Sequence, residues 1–266
     1  MRRPPPRSRP LPSTPGTADV PELSALAWVL LAVTAASIGI SKTAIPGTNT
    51  VAVAVFAAVL PARQSTGTIL LLLILADVFA MISYRRHANG KALLGLAPAV
   101  VAGLLLGFGF LAIADDTWVR RVIGVLLLLV IAITLLRRRM GRQIAEGGTH
   151  RVAAAVYGTL GGFTTMVANA AGPVMSMYFL ASRFPVKEFL GTTAWFFAIV
   201  NIAKLPFSIG LGLITVPGLL LDLVLAPAVI AGALFGRWIA DRIDQQLFER
   251  LVILLTIVGA VYLLVA

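Results

Sequence analysis

Ten apolar stretches, at about 24–40, 48–60, 66–84, 92–114, 119–137, 152–168, 171–183, 190–209, 217–238 and 248–266, take up almost everything after the first two dozen residues. Each approaches or reaches the length a helix needs to cross a hydrocarbon core roughly 30 Å thick. Only 12% of residues are charged, about half the share in an ordinary soluble domain, and 59% are hydrophobic. An all-α polytopic membrane protein of eight to ten membrane segments is therefore expected. Almost nothing is left for a soluble catalytic domain. Function has to come from intramembrane residues and short loops, and transport becomes the leading class.

The remaining chemistry is sparse. There is no cysteine, so thiolate metal sites and disulfides are excluded. His87 and His150 stand in basic loops without an H-x-x-x-H or H-E partner, so neither a zinc site nor any cofactor is expected. The net charge of +11 would suggest nucleic acid in a soluble protein. Here the charges sit mostly between apolar segments, where the positive-inside rule accounts for them, and no nucleic-acid partner is expected. Residues 1–23 open with seven prolines and four arginines and no apolar run; they read as a disordered arm rather than a signal peptide.

The chain repeats itself. "APAVVAGLLLG" at 97–107 and "APAVIAGALFG" at 226–236 share eight of eleven residues; "PARQSTGT" at 61–68 lies over "PVKEFLGT" at 185–192, and Val119-Arg-Arg-Val122 over Phe248-Glu-Arg-Leu251. This divides the chain into a membrane repeat at 24–137, a basic cytoplasmic linker at 138–151 and a second repeat at 152–266. Loop charge orients the two. If 24–60 returns to its starting side, the short loops place thirteen Lys and Arg inside against three outside; if it crosses once, the division is eight against eight. Inverted repeats are therefore expected, although the arginines of the arm then fall outside.

Each half begins with a pair of short apolar segments joined by polar and glycine-rich residues, "GISKTAIPGTN" and "GGFTTMVANAAGP". Non-helical backbone at membrane depth requires burial in protein or a wet cavity. Helix starts there present N–H groups and a positive dipole end, which suits an anion. Intramembrane ionisable residues are functional candidates by default, and three are singled out: Lys42, Lys204, and Asp77, which aligns with Asn201. The G-x-x-x-G pairs Gly103/Gly107 and Gly232/Gly236 read as close helix contacts rather than ligands.

At "GISKTAIPG", "LADVFAMISYRRH", "NAAGPVMSMYFL" and "GTTAWFFAIVNIAKLPF" the chain resembles the TauE/SafE sulfite-exporter family, also called TSUP permeases. The resemblance runs from about residue 30 to the end. It implies two repeats, residence in the bacterial inner membrane, and movement of small sulfur-containing anions such as sulfite, sulfoacetate and related sulfonates, by export in some members and uptake in others. The family's glycine-rich joint is replaced here by "SKTAIPG" and "ANAAGP".

Together these readings describe a secondary carrier working by alternating access, each repeat a broken or re-entrant helix pair followed by three spans. Lys42 and Lys204 would supply charge to the substrate, and Thr43, Asn49, Thr165, Asn169 and Asn201 hydrogen bonds. The helix starts after Gly47 and Gly172 would supply backbone donors, and Asp77 would couple transport to protons. The expected partners are the anion and membrane lipid, with a homodimer as a compatible assembly. A passive anion channel and a non-transporting assembly factor are the alternatives. A membrane enzyme has no support, because no H-E-x-x-H or D-D-x-x-D cluster is present.

Overall fold

In lipid, every backbone donor and acceptor must find its partner within the protein, and in the computed structural model the chain answers with helices throughout its described part. The structure describes residues 23–44, 49–119, 150–182 and 184–240, with scattered positions at 121–132 and 242–254. Eight helices of the described residues build the two halves. In the first, α1 is Ala25–Thr43, α2 Asn49–Val59, α3 Ala62–Tyr84 and α4 Gly90–Ile113. In the second, α5 is His150–Ala168, α6 Ala171–Ala181, α7 Val186–Gly210 and α8 Val216–Ala240. The segments at 119–137 and 248–266, the last span of each half, lie mostly outside the described residues.

The duplication is visible in helix lengths: α1 and α5 both have 19 residues, and α2 and α6 both have 11. At 1.5 Å per residue the first arm of each pair is about 28 Å long and the second about 16 Å. α1 is apolar and long enough to cross a membrane by itself, as are α3 with its terminal turn, α4, α7 and α8. In the second half the first arm falls short of this, its apolar part being Val152–Ala168, and both return arms are shorter still.

Glycine decides how the halves meet. A Cβ on Gly232 of α8 would lie 2.0 Å from the carbonyl oxygen of Ala36 in α1, and one on Gly103 of α4 would lie 2.2 Å from that of Thr159 in α5. Gly39 meets the carbonyl of Val229, and Gly162 that of Val100, in the same relation. So α1 packs on α8 and α4 on α5, each half lending its first arm to the other half's fourth helix. Small residues allow this because apolar side chains gain nothing from leaving lipid, whereas backbones in close van der Waals contact do. The expected G-x-x-x-G contacts are present, and they link the repeats.

Contacts between α3 and α7 give their direction. Asp77 meets Asn201, and Arg85, just past α3, accepts at its carbonyl from the indole of Trp195; position numbers rise along one helix as they fall along the other. The two are equivalent in the duplication yet antiparallel, which is the relation inverted repeats require. Asp77 and Asn201 are themselves equivalent, and equivalent residues can touch only near the axis that relates the halves. That axis therefore passes between α3 and α7.

The described polar side chains of the membrane region gather inside a largely apolar core, and the rim is apolar as well. Lys42, Thr43, Asn49, Thr66, Asp77, Thr165, Asn169, Asn201 and Lys204 are buried, while Val33, Ile82, Leu94, Ile113, Ile202 and Leu223 stand exposed. Aromatic packing around Phe179, against Phe184, Phe189 and Phe196, holds α6 to the start of α7. Arg63 closes the other end, donating to the carbonyls of Leu111 and Ala114 at 2.6 Å each.

Candidate functional site

The ends of α1 and α5 converge on the axis. Lys42 occupies the last turn of α1, where an ammonium complements the helix's free carbonyls. Its Nζ lies 2.8 Å from Asp77 Oδ1, the two side chains being 5% and 3% exposed, and 3.9 Å from the centroid of the Phe197 ring. The other carboxylate oxygen of Asp77 accepts from Asn201 Nδ2 at 2.6 Å.

Among the described residues Lys204 has no carboxylate in ion-pair contact. Its Nζ donates to the carbonyl of Thr165 at 2.6 Å and to the side-chain oxygens of Thr165 and Asn169. Asn169 follows the end of α5 with φ 52°, a left-handed backbone that asparagine adopts more readily than most residues. It is tied on three sides, since its Nδ2 also donates to Thr66 O at 2.8 Å and its carbonyl accepts from Asn49 Nδ2 at 3.1 Å. Ser41 donates to Asn49 Oδ1 at 3.4 Å, which joins both arms to one network.

The halves use one device in two ways. Lys42 and Thr165 are equivalent, each standing three residues past the glycine, Gly39 or Gly162, that touches the opposite half's fourth helix. In the first half the lysine is on the arm and reaches the third helix; in the second it is on the third helix and reaches the arm. Two lysines and one carboxylate thus meet in a buried network, leaving one formal positive charge unmatched among the described residues.

Between them is a cavity of about 10 Å³, room for roughly one water. Lys42, Asn49, Thr165, Asn169, Thr193 and Phe197 are on its walls, with Ser41 and Gly172. As the helices stand, the space admits a water and no larger solute. Of the residues expected from sequence, Lys42, Asn49, Thr165, Asn169 and Gly172 face this cavity, Asp77 and Lys204 bond to groups that form it, and Asn201 stands one step back, on Asp77. Thr43 faces away: its hydroxyl donates to Ala233 O at 2.9 Å on α8, in the gap left by Gly236. Gly172 lies within the first turn of α6, which already begins at Ala171. Gly47 lies outside the described residues.

Three buried residues escaped the sequence reading. Phe197, within "GTTAWFFAIVNIAKLPF", caps the Lys42 ammonium. Thr193 brings to the cavity a buried hydroxyl without a hydrogen-bond partner among the described residues. Asp222, in α8, is buried as well, and the depth rule that singled out Lys42, Asp77 and Lys204 applies to it equally, since it lies inside the apolar stretch 217–238.

Neither a curated protein nor a solved structure matches the chain. A family model does, and it spans residues 26–263, nearly all of both repeats and every element of the lysine network. The protein therefore belongs to the Sulfite exporter TauE/SafE family, a family of multi-pass membrane transporters.

Proposed function

We propose that this protein is a carrier of a small sulfur oxyanion, sulfite or an organosulfonate, in a bacterial inner membrane, and that Lys42, Lys204, Thr165 and Asn169 bind the anion. The unmatched positive charge carries this reading. An ammonium in a low-dielectric interior costs several kcal/mol unless countered, and the second cation of the network, Lys204, rests on neutral oxygens alone. An entering anion would supply the missing negative charge. It would take donors from both lysines and from the Thr165 and Thr193 hydroxyls, and its sulfonyl oxygens would accept them. A phenyl face from Phe197 offers an apolar wall for an organic substituent.

Size supports alternating access over a pore. A cavity of about 10 Å³ with Asp77 already paired to Lys42 cannot pass an anion without a change of conformation. The exchanged packing supplies two bodies that could move: α1 with α8, and α4 with α5, on either side of the α3–α7 pair. Rocking one against the other would open the network to each side in turn, as inverted repeats allow.

Uptake of labelled sulfite and sulfoacetate into sealed proteoliposomes tests this. Saturable uptake that shows counterflow, and that Lys42→Ala and Lys204→Ala each abolish, is expected. Unsaturating flux driven by voltage alone would overturn the carrier in favour of a channel, and no flux with any anion would favour an assembly factor.

A further inference from the structure

Asp222 is a buried carboxylate that the anion network does not use. It lies six residues into α8, about 9 Å from the start of that helix, and is only 8% exposed. Neither of its oxygens has a hydrogen-bond partner among the described residues. Its buried neighbours along the helix are Leu221, Leu225 and Val229, and the adjoining Leu223 and Val224 are exposed on the apolar rim. One turn earlier, Gly218 brings this face of α8 against Thr68 of α3.

No charge among the described residues is at hand to balance it. α1 and α3 are the helices that pack closely on α8. Among the described residues α1 carries only Lys42, in its last turn and paired to Asp77. α3 carries Arg63, bound to the carbonyls of Leu111 and Ala114, Asp77 itself, and Tyr84, whose hydroxyl donates to Thr43 O. Arg237 stands at the far end of α8, and Lys204 is held by Thr165 and Asn169. An ionised carboxylate with neither donors nor a cation is unsupportable at this depth, whereas the neutral acid is merely polar. Asp77, by contrast, has an ammonium at 2.8 Å on one oxygen and the Asn201 amide on the other, so partners that favour its ionised form are in place.

We propose that Asp222 is a proton-carrying site: the acid holds its proton in this conformation and gives it to water when α8 and α3 part, the carboxylate taking one back on return. The carrying role rests on the transport reading above; the protonated state does not.

Two measurements decide it. Infrared spectroscopy of the purified protein at neutral pH should show a carboxylic acid C=O band that moves in D2O, disappears in Asp222→Asn and persists in Asp77→Asn. Asn is isosteric with the neutral acid, so the variant should melt with the wild type. A missing band, or a variant that fails to fold because a paired anion has been lost, overturns the proposal. In vesicles containing a pH-sensitive dye, sulfite-driven proton flux should fall to the level of empty vesicles in Asp222→Asn while sulfite counterflow continues. Unchanged proton flux overturns the carrying role. Absence of counterflow in the wild type would instead sink the transport reading and leave the infrared result standing.

Discussion

Asp77→Asn is the sharpest test of the network. The substitution keeps the volume and the neighbour Asn201 but leaves Lys42, 5% exposed, without its counter-charge. Removing one partner of a buried ion pair costs about 3–5 kcal/mol, because the remaining charge is stranded. The Phe197 ring, 3.9 Å from the ammonium, stays in place in the variant. A desolvated cation–π contact is worth about 2 kcal/mol, so the loss should fall at the lower end, about 3 kcal/mol. Lys42→Met together with Asp77→Asn removes both charges, and a double replacement of this kind is often neutral. The double variant should therefore recover most of the loss, with a coupling energy of about 3 kcal/mol between the two sites. Equilibrium unfolding in mixed micelles measures all four members of the cycle. Additive losses would refute the pairing, as would an Asp77→Asn variant as stable as the wild type. The same variant adds a second unmatched charge, so saturating sulfite should raise its melting temperature more than that of the wild type.

Asn169→Asp places a carboxylate against Lys204 and so mimics a resident anion, at the loss of the amide donor to Thr66 O; isothermal titration should find sulfite binding abolished, and unaltered binding would remove Lys204 from the site. Gly232→Val sets a side chain against the Ala36 carbonyl, where a Cβ has 2.0 Å, and should cost at least the roughly 1–3 kcal/mol of an overpacked core, whereas Gly109→Ala, with nothing within 4 Å, should leave the melting temperature unchanged. Phe197→Leu removes the ring over Lys42 and should cost about 1–2 kcal/mol in the unfolding assay, a loss that should largely vanish when it is made in the Lys42→Met, Asp77→Asn background, where no ammonium is left for the ring to cover.

Much of this architecture was legible in the residues. Uninterrupted apolar length specifies helices across a bilayer, because lipid offers the backbone no other partner. Duplicated "APAV" segments and the asymmetry of loop arginines were enough to infer inverted halves, and the antiparallel α3 and α7 show the same relation. Lys42, Asp77 and Lys204 were found by one rule, that charge at depth is too costly to be idle. That rule identifies residues but not their partners. Thr43 sits beside Lys42 in sequence, yet a helix turns about 100° per residue, and its hydroxyl faces α8 instead of the cavity.

What only the tertiary structure decided is who meets whom. Local pattern cannot reveal that α1 packs on α8 and α4 on α5, because the contact joins backbones across the two halves and leaves only small residues as its trace. Nor can it tell which lysine has a counter-charge. Pairing depends on a separation of 2.8 Å between helices 35 positions apart for Lys42, and on the lack, among the described residues, of any carboxylate in ion-pair contact with Lys204. Sequence alone placed the charges in the membrane; the packing of α3, α5 and α7 around one axis determined which charge is matched, and Coulomb energy at low dielectric makes that difference the basis of the proposed function.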